Sequence, residues 1–291
     1  MFVRTHAGAI VGIDAVKVDV EVNVAGGGLG LFLVGLPDNA VKESEQRIRS
    51  AFENSGLRMT AKKVVVNLAP ADLRKEGAAF DLPIAVGILA ATSQVDASKL
   101  SGTMFAGELS LDGGVKACKG ILPMAVRARA EGLERFVVPV ANVPEGAVVE
   151  GVDIIGVRSL SDVAAYLNGD IDIAPASAGM TGAEGQSLNR YAEDFADVRG
   201  QSHVKRALEI AAAGGHNVIM IGAPGSGKTM LASRLPSILP PLEPDEALQT
   251  ALIHSVAGED PAPALGGVRP FRSPHHSASS AGLIGGGSPP R

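Results

Sequence analysis

Residues 222–229 read Gly222-Ala223-Pro224-Gly225-Ser226-Gly227-Lys228-Thr229, a complete G-x-x-x-x-G-K-[ST] pattern. No other stretch limits the fold as tightly, because this pattern needs a strand before it and a helix after it. Val218-Ile219-Met220-Ile221 precede it with the length and β-branched content of a strand, and Met230 to Leu235 read as the helix. Gly222, Gly225 and Gly227 can take backbone angles closed to other residues, so successive N–H groups can point into one concavity. The start of the following helix aims its positive end at the same spot, which suits a phosphate chain. Lys228 is placed to reach the β- and γ-phosphates and the Thr229 hydroxyl to hold Mg²⁺. The eight residues are therefore expected to bind ATP with Mg²⁺, and Thr229 is the one expected metal ligand.

Other broad classes are excluded by composition. At 291 residues the chain is long enough for about two domains, each with its own core. No apolar run is long enough to span a bilayer, and Met1-Phe2-Val3-Arg4-Thr5-His6 lacks the build of a signal peptide, so a cytoplasmic location is expected. A single cysteine, Cys118, excludes an internal disulfide framework and a multi-cysteine zinc site. The formal charge of −5 and the absence of Trp advertise neither a basic DNA-binding surface nor a stacking platform for single strands. Any DNA contact needs a local basic surface or a pore formed on assembly.

Residues 1–168 read as one α/β domain with hairpins mixed among helices, so a simple doubly wound sheet is not expected. Val16 to Val24 alternates without a fault, the mark of a strand with one buried face. Ala25-Gly26-Gly27-Gly28 then turns the chain into a second strand, Leu29 to Val34, and the two are expected to pair as a hairpin. Asp38 or Asn39 caps a helix over 40–54 that turns Val41, Ile48 and Phe52 inward. Strands are expected over 62–68, 104–109, 136–140 and 154–157, and helices over 121–131 and 159–168. A helix over 81–91 is almost wholly apolar and so buried. Residues 169–190 are poor in periodicity and rich in Ala, Ser and Gly, as in a linker. The second domain, 191–291, opens with a helix over 202–213, carries the glycine loop, continues with a helix over 248–256, and ends in a loop rich in Gly, Pro and Ser.

Val198-Arg199-Gly200-Gln201, Gly214-Gly215-His216-Asn217, the loop at 222–229, and Arg269 to Ser277 together resemble the AAA+ ATPases of the magnesium-chelatase type. Gly35-Leu36-Pro37-Asp38-Asn39-Ala40, Val66 to Asp72, and Lys75 to Pro83 narrow the likeness to the YifB/ComM family. The resemblance covers nearly the whole chain. It implies an α/β protein in which an α+β domain of Lon-protease-like fold (ribosomal S5 domain 2 type) precedes the start of a P-loop AAA+ αβα domain. It also implies a cytoplasmic, ATP-binding subunit of a homo-oligomeric ring, a hexamer, that acts as a DNA helicase driving branch migration in natural transformation.

Two departures qualify that picture. Where the Lon-type protease carries its nucleophilic Ser this chain has Ala79, and Leu122 stands near the place of its Lys, so no peptidase activity is expected. Between Lys228 and Arg291 there is no apolar strand ending in Asp-Glu, and the residues expected to sense the γ-phosphate and the arginine finger are missing too. The resemblance thus implies a larger ATPase of which these residues are part, with nucleotide held but fast hydrolysis not expected, and no catalytic residue is assigned. Two rival readings are a non-catalytic interaction module, or a regulator of the ATP-dependent protease type. Insertion of Mg²⁺ into a porphyrin rests on the family's name alone.

Other chemistry-bearing residues carry plainer expectations. Neighbouring side chains such as His275 and His276 point apart on a regular element, and no third ligand stands at useful spacing, so they are read as structural. Arg269 and Arg272 are open between phosphate, a neighbouring subunit and solvent. Asp19 and Glu21 lie on the polar side of an alternating strand, as solvated charges. Arg47, Arg49, Lys62, Lys63, Arg74 and Lys75 are scattered over helix, strand and loop, which argues against one basic patch.

Overall fold

The computed structural model describes residues 1–26, 28, 30–176 and 191–285. They fall into two compact units, the first holding 1–176 with Leu252–Glu259 and the second 191–251 with 260–285. Most of the stretch read as a linker, 177–190, lies outside the described residues, as do 286–291.

In chain order the first unit runs β1 (Phe2–Val11), β2 (Asp14–Ala25), β3 (Gly30–Val34), α1 (Asn39–Lys42), α2 (Ser44–Asn54), β4 (Lys63–Ala69), α3 (Asp81–Ala91), β5 (Thr103–Phe105), β6 (Glu108–Leu109), β7 (Val115–Lys116), α4 (Ile121–Ala130), β8 (Arg135–Pro139), α5 (Val143–Gly146), β9 (Asp153–Val157) and α6 (Leu160–Asn168). Seven strands form one mixed sheet in the order β3-β4-β2-β1-β5-β8-β9, and β6 pairs with β7 as a separate ribbon.

The hairpin expected between the second and third strands does not form. β2 pairs antiparallel with β1 through the two-residue turn Gly12-Ile13, and β4 pairs along the other side of β2. β3 then lies parallel to β4, joined to it through α1 and α2. A parallel neighbour needs such a crossover, and the helices supply it. β1, in the middle of the sheet, had no expectation from sequence: His6, Ala7, Gly8 and Ala9 blur its alternation. The strand expected over 104–109 is broken at Gly107, where an added Cβ would lie 2.6 Å from Val115 Cγ1.

Residue parity decides which layer covers which face. Val18, Val20 and Val22 of β2 are fully buried and face α3, whose 11 residues are all buried. Gly87 of α3 sits so close that a Cβ there would lie 2.5 Å from Val22 Cγ2, while Thr5 Oγ1 donates to Pro83 O at 3.0 Å. On the opposite face, Gly8 meets Met124 of α4, and Arg127 Nε donates to Ala15 O at 2.7 Å. Asp38 is the helix cap, its Oδ1 accepting from Val41 N at 2.8 Å while Oδ2 accepts from Gly77 N at 3.1 Å. Val41, Ile48 and Phe52 are fully buried, as their spacing requires.

The remaining helices are α7 (Ser202–Ala213), α8 (Lys228–Arg234), α10 (Ala262–Leu265) and α11 (Ser280–Ile284) in the second unit, and α9 (Pro244–Ala257), whose residues from Leu252 onward fall in the first. Helix α11 stands in a tail read from sequence as loop throughout. Phe195, Val198, Leu208 and Leu231 form the small core of the second unit, with Val204, Met220, Leu235 and Ile238 against it. The strand expected at Val218 to Ile221 is a correction: among the described residues of this unit no strand is present. Ile219 is 85% and Ile221 91% exposed. β-branched residues favour extended backbone, but a strand exists only through a ladder to a neighbour, and no described neighbour pairs here.

Candidate functional site

Residues 222–227 of the glycine-rich pattern form one continuous turn that leads into α8, whose first two residues are Lys228 and Thr229. Gly225 takes φ +79° and Gly227 φ +86°, the left-handed region that disfavours side chains. A Cβ on Gly222 would lie 2.9 Å from Ser226 Oγ and fill the inside of the turn. Ser226 N donates to Ala223 O at 3.3 Å, closing the loop on itself.

Lys228 folds back over this turn. Its Nζ donates to Gly222 O and Ala223 O, both at 2.8 Å, and lies 3.4 Å from Ser226 Oγ. Among the described residues the ammonium is thus held by two neutral carbonyls and a hydroxyl, while Thr229, next in the chain, is exposed. Gln201, the residue that precedes α7, donates from Nε2 to Ser226 O at 3.3 Å. Leu231 anchors α8 in the core one turn later, and Glu193 takes bonds from Ser233 Oγ and Arg234 Nη1 at 2.6 and 3.2 Å. The loop is exposed, but both its ends are fastened. Nothing in the loop pattern itself signals Gln201; only the position of α7 brings it there.

The other singled-out residues fall outside this site. Arg269 is a brace: Nε donates to Pro240 O at 2.6 Å, Nη2 meets Glu246 Oε2 at 3.3 Å, and its backbone N–H donates to the Tyr191 hydroxyl at 3.0 Å. His275 and His276 do not point apart, since their segment is irregular; the rings lie 4.0 Å between centroids. His275 Nδ1 bonds the Ser277 hydroxyl at 2.7 Å, and no cluster of three metal-ligating side chains occurs among the described residues. Asp19 and Glu21 are not simply solvated. Asp19 Oδ1 is 2.9 Å from His6 Nδ1, and Glu21 accepts from Arg4 and from Asn67, so the three neighbouring strands share one polar network.

The six scattered basic residues form no common surface. Arg47 is clamped on Asp81 by Nε at 2.6 Å and Nη2 at 2.9 Å, and Lys75 is fully buried with its ammonium donating to Pro70 O. Arg49 pairs with Glu45 and Arg74 with Glu76, while Lys63 stands over the Phe32 ring. At the places compared with the protease, Ala79 presents only its carbonyl, to Gly107 N at 3.0 Å, and Leu122 is fully buried in α4. Burial, reinforced by Glu145 and Glu108, pushes the thiol of the half-buried Cys118 up to about 12, so little thiolate is expected at neutral pH.

Residues 20–142 match the family described as "Subunit ChlI of Mg-chelatase", and 194–291 match "Magnesium chelatase, subunit ChlI". The uncharacterized protein YifB of Salmonella typhimurium is 43% identical over 285 residues, covering 98% of this chain and 55% of its own length. Competence protein ComM of Haemophilus influenzae is 42% identical over 286 residues, covering 98% and 56%. The uncharacterized protein Rv2897c of Mycobacterium tuberculosis is 41% identical over 288 residues, covering 98% and 56%. The chain therefore spans about half the length of the curated relatives it matches. The architecture is α/β, no described helix is long and apolar enough to cross a membrane, and both halves match one family. The chain belongs to the YifB/ComM family of magnesium-chelatase-like proteins.

Proposed function

We propose that residues 222–229 bind the triphosphate of ATP together with Mg²⁺, as the nucleotide-binding part of a magnesium-chelatase-like AAA+ ATPase. The observation that carries this is the ammonium of Lys228, turned back over a glycine turn and held, among the described residues, only by Gly222 O, Ala223 O and Ser226 Oγ. Neutral carbonyls leave its charge uncompensated, so an incoming phosphate is a stronger partner than the ones it has. The residues fit the ligand: Gly222, Gly225 and Gly227 keep the turn free of side chains, and main-chain N–H groups supply the remaining donors. Lys228 would neutralise phosphate charge and the Thr229 hydroxyl would hold Mg²⁺. The ion, when bound, would offset phosphate charge.

The wider reading is a proposal about the whole protein. Residues 1–168 serve as a Lon-like scaffold without peptidase chemistry, 169–190 as linker, and 191–291 as the opening part of the ATPase domain. The complete protein is a cytoplasmic homo-oligomeric ring, a hexamer, that acts on DNA as a branch-migration helicase; the likeness to competence protein ComM supports this. Ala79 and Leu122 offer neither nucleophile nor base, so peptide hydrolysis has no part in it.

The test is binding of a fluorescent ATP analogue in the presence of Mg²⁺. Lys228→Ala is expected to abolish it; unchanged affinity overturns the reading. Sedimentation of the longer protein with and without ATP, and with branched DNA, tests the ring and the DNA partner. No gain in mass and no DNA retention would remove both.

A further inference from the structure

We infer that Gln201 is a positioning residue of the phosphate loop, acting through the Ser226 carbonyl to aim the Gly227 N–H into the cradle. The inference rests on the nucleotide-binding reading above and adds a part that the motif does not contain.

The backbone at Gln201 is unusual. It takes φ +53° and ψ 36° at the head of α7, directly after Gly200 at φ +72°. A left-handed conformation is disfavoured for a residue with a Cβ, and Gly or Asn adopts it more readily than Gln. The backbone task at this place is to start the helix, with Gln201 O accepting from Lys205 N at 2.9 Å, and any residue can do that. The helix start therefore does not explain the glutamine. Its side chain does something a glycine could not: Nε2 reaches across 25 positions of sequence to donate to Ser226 O at 3.3 Å.

The consequence follows from peptide planarity. In a trans peptide the carbonyl of one residue and the N–H of the next point in opposite directions. Holding Ser226 O toward Gln201 therefore turns Gly227 N–H to the other side. The groups that accept from Lys228 are Gly222 O, Ala223 O and Ser226 Oγ, while the Ser226 carbonyl accepts instead from Gln201. Gly227 has no Cβ, and rotation at Ser226 ψ and Gly227 φ could reverse this one peptide at small steric expense. The reversed plane would present a carbonyl oxygen to the phosphate in place of an N–H, exchanging attraction for repulsion. Gln201 blocks that reversal from outside the loop.

The test uses the 1–291 chain with Gln201→Gly and Gln201→Asn, two residues that accept the left-handed backbone but cannot make the bond. Each is expected to bind a fluorescent ATP analogue about five- to tenfold more weakly, roughly 1–1.4 kcal/mol, with a melting temperature no lower than that of the unsubstituted chain. Inorganic triphosphate, used as competitor, should lose affinity by the same factor, since the effect lies at the phosphate tail. Unchanged affinity in both variants, beside loss of binding in Lys228→Ala, overturns the inference and leaves the nucleotide reading standing. Weakened binding that comes with melting several degrees lower shows a structural role and also overturns it. No binding by the unsubstituted chain overturns both.

Discussion

Removal of the Asp81 carboxylate is expected to destabilise the first unit more than any other single truncation of a polar side chain there. Asp81 is fully buried at the start of α3. It accepts from Arg47 Nε at 2.6 Å, from Arg47 Nη2 at 2.9 Å and from Leu109 N at 3.1 Å, tying α2, α3 and β6 together. Burial outweighs the guanidinium and holds this carboxyl above the usual carboxylate range, whereas the hydrogen bond to Asp81 raises Arg47. Asp81→Ala strands both partners. Taking one member from a buried pair costs about 3–5 kcal/mol. Arg47 is 19% exposed and keeps its bond to Ala40 O at 2.8 Å, which favours the lower end. A buried Leu109 N–H left without an acceptor adds about 1–3 kcal/mol, so the total is about 4–6 kcal/mol.

Because desolvation opposes the pair, removing both charges should do less harm than removing one. Arg47→Met with Asp81→Leu strands the buried Leu109 N–H and takes one donor from the half-buried Ala40 carbonyl, and should cost about 1–3 kcal/mol. The assay is urea unfolding of the intact chain followed by far-UV circular dichroism, comparing midpoints at constant slope. A loss below about 1 kcal/mol for Asp81→Ala, or a double variant as unstable as the sum of the single ones, would refute the reasoning.

Further outcomes concern Cys118, Lys75 and two glycines. Cys118, whose thiol is raised from 9.0 to about 12, should react with iodoacetamide at pH 8.5 far more slowly in the native chain than in urea; equal rates would contradict its burial. The same shift makes the neutral thiol a stabilising feature that is fully present below pH 9.0 and lost as pH rises toward 12, so Cys118→Ser should flatten the alkaline fall in stability. Lys75 is fully buried, and burial holds its ammonium below the ordinary lysine range; Lys75→Met keeps the stem volume and drops the charge, so unfolding midpoints should stay level or rise, and a loss above about 1 kcal/mol would speak against it. At Gly35, with φ +98° and the place of a Cβ 2.2 Å from Leu68 O, Ala should destabilise by more than about 2 kcal/mol. Gly12→Ala, where nothing lies within 4 Å, should show only the backbone strain of about 1–2 kcal/mol, and equal losses at the two sites would remove the clash argument.

The sequence alone determined those features whose cause is local. The glycine loop, the alternation of β2, the almost wholly apolar α3, and the cap at Asp38 each follow from residue chemistry at fixed short spacing, and the structure forms them where the spacing puts them. Tertiary structure decided the partners. β2 stands between β1 and β4 because strand pairing joins residues far apart in sequence, and the glycine run after β2 looks the same whichever neighbour the next strand takes. Val218 to Ile221 has the side chains of a strand, but a ladder needs a second chain segment that no local pattern announces. Arg47 and Lys75 stand in the sequence only as two of six scattered basic residues; packing put one on Asp81 and the other out of solvent. Gln201 gained its bond only when α7 came to lie beside the loop. Periodicity within a segment records which face is buried; which distant group meets that face is set by the three-dimensional packing.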